Sequence, residues 1–225
     1  MKAIADICWM CIGRMLVVGF LLGLILMLMY IAYKRRRAIP NKIRMKFNHW
    51  MGKPILSLVL VTSKQFDPTK FLGEGWTIWK GPIKGDGMHG EEDVDPRSLG
   101  IKKIKVSEFI FETSLNADEG SGVEEEKLCR LKEEKPDFTR FGGNVFLGLW
   151  EDYEANDENS ILEWFYQNFG INRMNFPGLI LRGPDGDRHV LCFFRRNDGR
   201  WFWACSWLYY QWPDSYPSAG CASKS

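Results

Sequence analysis

The chain has 225 residues, 45% of them apolar, with 30 lysines and arginines against 28 aspartates and glutamates. That charge is unevenly spread: eight basic and no acidic residues lie from Lys34 to Lys53, whereas residues 86 to 158 carry twenty acidic against nine basic ones, which argues against a nucleic-acid surface there. Six cysteines (Cys8, Cys11, Cys129, Cys192, Cys205, Cys221) are too few and too scattered for a disulfide scaffold.

Met15 to Tyr33 is a run of nineteen residues without a charge, eleven of them Leu, Ile, Val or Phe. As a helix it spans roughly 28 Å, about one hydrocarbon core, so the sequence predicts a single transmembrane helix. Lys34, Arg35, Arg36 and Arg37 close it. By the positive-inside rule they place the following domain in the cytoplasm and the N-terminus outside, and they suit anionic lipid headgroups. A cleaved signal peptide fits less well, because the run is too long and no small-residue cleavage site precedes the basic cluster. Gly19 and Gly23 form a G-x-x-x-G that permits a homodimer through the span. Cys8 and Cys11 form a C-x-x-C, but zinc needs about four ligands and no second pair has ligand spacing.

Residues 34–54, basic and broken by Pro40 and Gly52, read as a membrane-proximal tether, and residues 55–225 as one soluble α+β domain. Ile55 to Thr62 is apolar and short, and is predicted to be a buried strand. Asp67-Pro68 places a capping carboxylate before a proline at the first helical position, a helix start that Gly73 and Gly75 end. Trp76 to Lys80 alternates as a short strand before Gly81-Pro82.

Gly85-Asp86-Gly87-Met88-His89-Gly90 matches the bare G-x-G-x-x-G pattern. Glu91, Glu92, Asp93 and Asp95 follow and would repel a phosphate, so it reads as a solvated acidic loop. Ile101 to Phe111 reads as a strand and Asn116 to Gly122 as a polar loop. Val123 to Lys135 is a helix with three glutamates in its first turn and a Glu126–Arg130 pair. A second helix is expected from Asp137 or Thr139 to Trp150, and a third from Ile161 to Phe169, capped by Ser160 and closed by Gly170.

Leu179–Arg182, His189–Arg196 and Arg200–Tyr209 form a predicted three-stranded antiparallel meander. A two-residue Asp198-Gly199 turn pairs Arg196 with Trp201. A three-residue bulged turn instead sets Arg196 opposite Arg200, and like charges opposite each other favour the first. That register makes Cys192 and Cys205 direct partners and puts Val190, Cys192, Phe194, Trp201, Trp203, Cys205 and Trp207 on one face. The other face, with Leu191, Phe193, Phe202, Ala204 and Leu208, is apolar too. A sheet apolar on both faces is covered twice or keeps one face for a ligand.

From Asp67 onward the chain resembles a family of uncharacterised bacterial proteins. The resemblance rests on Asp67-Pro68, Gly75-Trp76-x-Ile78-Trp79-x-Gly81-Pro82, Gly90-Glu91-Glu92-Asp93, Arg97-Ser98-Leu99, Glu125-Glu126-Lys127-Leu128 and Pro217-Ser218-Ala219. That family carries no assigned activity. The resemblance therefore implies one evolutionary unit after the anchor and assigns no functional residue.

The search for chemistry returns no P-loop, G-x-S-x-G, H-E-x-x-H or paired Cys/His signature. His49 lies in the tether, His89 in the acidic loop and His189 at a strand start. No catalytic residue, metal or cofactor follows. The expected function is a single-span membrane-anchored binding or scaffolding module with a protein partner. Trp76, Trp79, Arg196, Trp201 and Trp203 are its candidate contacts, since tryptophan and arginine anchor interfaces. The alternative is an enzyme acting on envelope lipid or carbohydrate through carboxylates of the acidic loop.

Overall fold

The chain divides into two compact units, Met1–Pro40 and Asn41–Ser225. The computed structural model describes residues 58–62, 64–80, 94–116, 118–213 and 216–223. Among these no helix is long and apolar enough to cross a membrane. The predicted span with Gly19 and Gly23, the C-x-x-C, Lys34, Arg35, Arg36, Arg37, the tether, His49 and the acidic loop with His89 lie outside the described residues.

Two short helices start by the same device. At α1 (Pro68–Leu72) the Asp67 carboxylate accepts the amides of Thr69 and Lys70 at 3.1 and 3.3 Å, and Gly73 ends the helix at φ 108°. At α2 (Pro96–Leu99) Asp95 caps Arg97 N at 3.1 Å. Each proline occupies a position whose N–H no helical carbonyl would use. Before α1, β1 (Val59–Val61) shows only Leu60 to the core, while Val59 and Val61 are 42% and 49% exposed. The expected buried strand is thus corrected to an edge: among the described residues β1 pairs only with β3 (Lys103–Lys105), in a two-stranded ribbon covered on one side.

The expected Ile101–Phe111 strand is two strands. A 3-10 turn at Val106–Glu108 separates β3 from β4 (Phe109–Glu112), and the two join different sheets. β5 (Ser121–Val123) leads into α3 (Glu124–Glu133), whose Leu128 and Leu131 are buried and whose Glu126–Arg130 pair closes at 2.7 Å. Residues 138–140, expected to open a helix, are instead β6 (Phe138–Arg140), and the helix α4 runs Gly143–Asn156. The reason is a close crossing. A Cβ at Gly178 would lie 2.2 Å from the Arg140 carbonyl, so the backbone around residue 140 is extended where it passes over residue 178. α5 (Ile161–Phe169) has the expected cap, Ser160 Oγ to the Glu163 amide at 3.3 Å, and the expected end, Gly170 at φ 69°.

The main sheet has seven strands. β2 (Thr77–Ile78) and β11 (Ser218–Ala222) flank β7 (Arg173–Arg182), which continues to β8 (Arg188–Arg195) and β9 (Trp201–Trp207); β11 also pairs with β4 and β6. The meander is present but is not the end of the sheet. β10 (Gln211–Pro213) returns to β5, and β11 enters the sheet centre, antiparallel to β4 and β6 and parallel to β7 at Ser218–Asn175. The architecture is therefore α+β with one parallel contact.

Both faces of the meander are covered, as a doubly apolar sheet requires. On one, α4 stacks Phe146 on Phe193 with centroids 4.4 Å apart and ring planes 7° apart, and α5 sets Glu163 3.2 Å from the Trp201 indole N–H. On the other, Leu128 of α3 joins Trp79, Ile180, Val190 and Leu208. Each such buried aromatic or aliphatic side chain contributes about 1.5–3 kcal/mol.

Candidate functional site

The turn between β8 and β9 decides which residues share a face. Arg196 N donates to the Arg200 carbonyl at 2.9 Å, Gly199 N to the Arg196 carbonyl at 3.0 Å, and Gly199 sits at φ 87°. This is the three-residue bulged turn, and Cys192 therefore faces Ala204 while Cys205 faces Leu191. The expected Cys192–Cys205 pairing and face assignment are corrected. The like-charge objection fails because Asp198 stands between the arginines, 3.0 Å from Arg200 and 4.0 Å from Arg196. Both guanidinium groups also lie over the Phe202 ring, at 5.9 and 5.0 Å. The Arg200 amide first, and its guanidinium second, hold the Asp198 carboxyl below its ordinary range.

Trp201, Trp203 and Trp207 consequently share the core face with His189, Leu191 and Phe193. Trp201 is 1% exposed; its indole N–H donates to Glu163 Oε2 at 3.2 Å, and Arg195 clasps the same carboxylate at 2.8 and 3.0 Å. Burial raises the Glu163 carboxyl, and the Arg195 and Trp201 bonds outweigh it and leave it below its usual range. Trp79, also 1% exposed, lies between Arg182 and Arg188, 4.3 and 5.1 Å from its ring. Neither tryptophan offers surface to a partner, and both are removed from the contact set as core. Trp203 is half-buried against Phe71 at 4.9 Å, and Trp76 against His189 at 4.9 Å. Arg196 alone of the five is exposed.

The exposed aromatic surface lies instead at the far end of β9. Trp207, Tyr209 and Tyr210 touch one another with centroids 5.2 to 6.1 Å apart, and Tyr209 and Tyr210 are 57% and 45% exposed. Behind them His189 is wedged between Trp76 and Trp207. Asp185 accepts the Trp207 indole N–H at 3.1 Å and stands 3.5 Å from His189 Nε2. Burial raises the Asp185 carboxyl, but the Trp207 and Asp187 N–H groups overcome it and lower it overall. Sequence reasoning passed over Tyr209 and Tyr210 as the tail of a strand; their signal was two adjacent aromatics where alternation stops.

Two further places carry polar or open chemistry. Within the first turns of α3, Lys127 and Glu124 pair at 3.2 Å, both about 1% exposed, and Lys127 also donates to the Tyr216 carbonyl at 2.9 Å. Beside β3, a cavity of about 670 Å³ has Ile101, Ile104, Phe109 and Ile110 in its lining and Lys102 and Lys103 at its rim. Among the described residues no cluster of three or more His, Cys, Asp or Glu is arranged to hold a metal. His189, at 3% exposure, has no open ring face for a substrate. The carboxylates proposed for an envelope enzyme belong to the acidic loop, outside the described residues. No family model matches the chain, and no curated protein or solved structure matches it.

Proposed function

We propose that this chain is a membrane-anchored binding module that holds a protein partner through the aromatic end of β9. The observation that carries the reading is the contiguous aromatic cluster in which exposed Tyr209 and Tyr210 pack against half-buried Trp207. Tyrosine and tryptophan are the residues most often found as energetic anchors of interfaces, and their few rotatable bonds make immobilising them cheap in entropy. The patch is also held in place from behind: the Asp185–Trp207 bond fixes the indole, and Trp76 and His189 buttress it. The apolar run Met15–Tyr33 and the basic residues 34–37 supply the anchor in this reading.

The test is crosslinking and co-purification of full-length protein from membranes, compared with a Tyr209→Ser, Tyr210→Ser variant. Both positions are exposed, so the variant keeps its fold by circular dichroism. Loss of the recovered partners from the folded variant is the expected result; recovery of the same partners by both proteins overturns the proposal.

A further inference from the structure

We propose that the cavity beside β3 binds an anionic amphiphile with a single acyl chain, the tail along the apolar lining and the anionic head against Lys102 and Lys103. Its volume of about 670 Å³ lies within the range of small-molecule sites. The lining is divided as such a ligand requires. Of its lining, Ile104 and Phe109 are buried, Ile101 and Ile110 are half-buried, and Lys102 and Lys103 are exposed.

The charge of the rim is available for a ligand. Arg97 also lines the cavity, but its guanidinium is committed to both Asp95 oxygens, the Pro136 and Phe138 carbonyls and Ser223. Glu108, the acidic residue in the lining, accepts the Lys105 amide at 3.2 Å and keeps its charge, so Lys102 and Lys103 exceed it by one positive charge. Lys102 and Lys103 form no ion pair among the described residues. An apolar lining edged by two lysines that form no ion pair among the described residues matches a hydrocarbon chain ending in a carboxylate or phosphate, where a neutral chain would leave the lysines unused.

The neighbouring ribbon favours a membrane source. On its outer face Val59 and Val61 are exposed directly across from Lys105 and Lys103, beside exposed Leu58. Apolar side chains interleaved with lysines whose stems can lie along hydrocarbon while their heads stay in water suit a bilayer interface. From Tyr33 to Val59 there are 26 residues, a reach of at most about 90 Å. Only the source of the ligand rests on the membrane-anchored reading; the lining chemistry does not.

The experiment uses full-length protein in phosphatidylcholine nanodiscs and a diazirine-bearing palmitate, with the crosslinked peptides mapped by mass spectrometry. Labelling is expected at residues 101–110 and 221–223. Unlabelled palmitate should compete at least about tenfold better than hexadecanol, the weight of one charge-assisted contact, and inorganic phosphate should not compete. A Lys102→Ala, Lys103→Ala variant, altered only at exposed positions, should weaken labelling about tenfold or more, and Ile110→Trp should fill the cavity and abolish it. Labelling confined to residues 34–53 overturns the proposal. So does equal competition by hexadecanol, displacement by phosphate, or undiminished labelling of the folded lysine variant. None of these outcomes depends on the partner recovered through Tyr209 and Tyr210.

Discussion

Arg196 and Arg200 face each other across the β8–β9 turn, the amide of the first donating to the carbonyl of the second at 2.9 Å. That pairing fixes the face of every residue in both strands, because a shift of one residue moves a whole side-chain set to the other side. It depends on Gly199 at φ 87°. A Cβ there meets nothing closer than the Arg195 guanidinium at 3.4 Å, so Gly199→Ala is opposed by backbone conformation and not by crowding. Gly199→Ala should cost about 1–2 kcal/mol in urea unfolding, and Gly199→Asn less.

At Gly178 the opposite holds: the obstacle is space. An added Cβ would lie 2.2 Å from the Arg140 carbonyl and 2.6 Å from the Phe141 carbonyl carbon, both backbone. Gly178→Ala should exceed the 1–3 kcal/mol usual for overpacking. Recovery of a variant with an unchanged thermal midpoint would contradict the crossing of β7 by the segment after β6.

These two glycines mark where the sequence was legible and where it was not. Local signals were sound: Asp67-Pro68 capped a helix, Ser160 and Gly170 bounded one, and Glu126 met Arg130. Each is decided by atoms within a few residues. The turn register failed because the repulsion of Arg196 and Arg200 was weighed without Asp198, which faces both. β6 and β11 do not show in the sequence because Phe138–Arg140 and Ser218–Ala222 are short and lack alternation; β6 is a strand through its pairing with β11, and β11 through partners in β4, β6 and β7 that are distant in sequence. Trp201 was offered as a contact since composition cannot separate a core tryptophan from an interface one; the buried Glu163 that receives its N–H is distant in sequence. The cavity gave no sequence signal, since its walls come from residues 97–110, Thr139 and 221–223.

Trp201 as core predicts a loss that an interface role would not. Trp201→Ala should destabilise by about 3–5 kcal/mol. Trp201→Phe keeps most of the volume but strips Glu163 of one donor, and should cost about 1–3 kcal/mol. Tyr209→Ser should lie within about 0.5 kcal/mol of the parent, as exposed substitutions do. Denaturant titration of the three variants separates core from patch.

Asp95 sets an acid limit. Burial raises its carboxyl, but the Arg97 side chain and the Arg140 amide outweigh it, leaving the folded pKa below the ordinary 3.8. A depressed acid contributes stability in full above its unfolded pKa and loses it as pH falls through the folded value. Glu163 acts in the same sense, while Asp152, raised by burial, acts oppositely. The thermal midpoint should therefore begin to fall below about pH 4. The gap between the parent and Asp95→Asn should be constant near neutrality and shrink below that pH; a gap that widens in acid would contradict the assignment.

The Lys127–Glu124 pair on the buried side of α3 tests what a buried charge contributes. Both side chains are about 1% exposed and 3.2 Å apart, and Glu124 Oε1 has no hydrogen-bond partner among the described residues. Desolvating two ions costs several kcal/mol each, and the attraction offsets this only when the remaining lone pairs are satisfied, which here they are not. Lys127→Met alone leaves an uncompensated carboxylate in the interior and should destabilise by about 3–5 kcal/mol. Lys127→Met with Glu124→Leu removes both charges, giving up the Lys127 bond to the Tyr216 carbonyl, and should recover most of that loss. A double-mutant cycle by urea denaturation measures the coupling. If the double variant is as unstable as the sum of the singles, the pair is not acting as a unit.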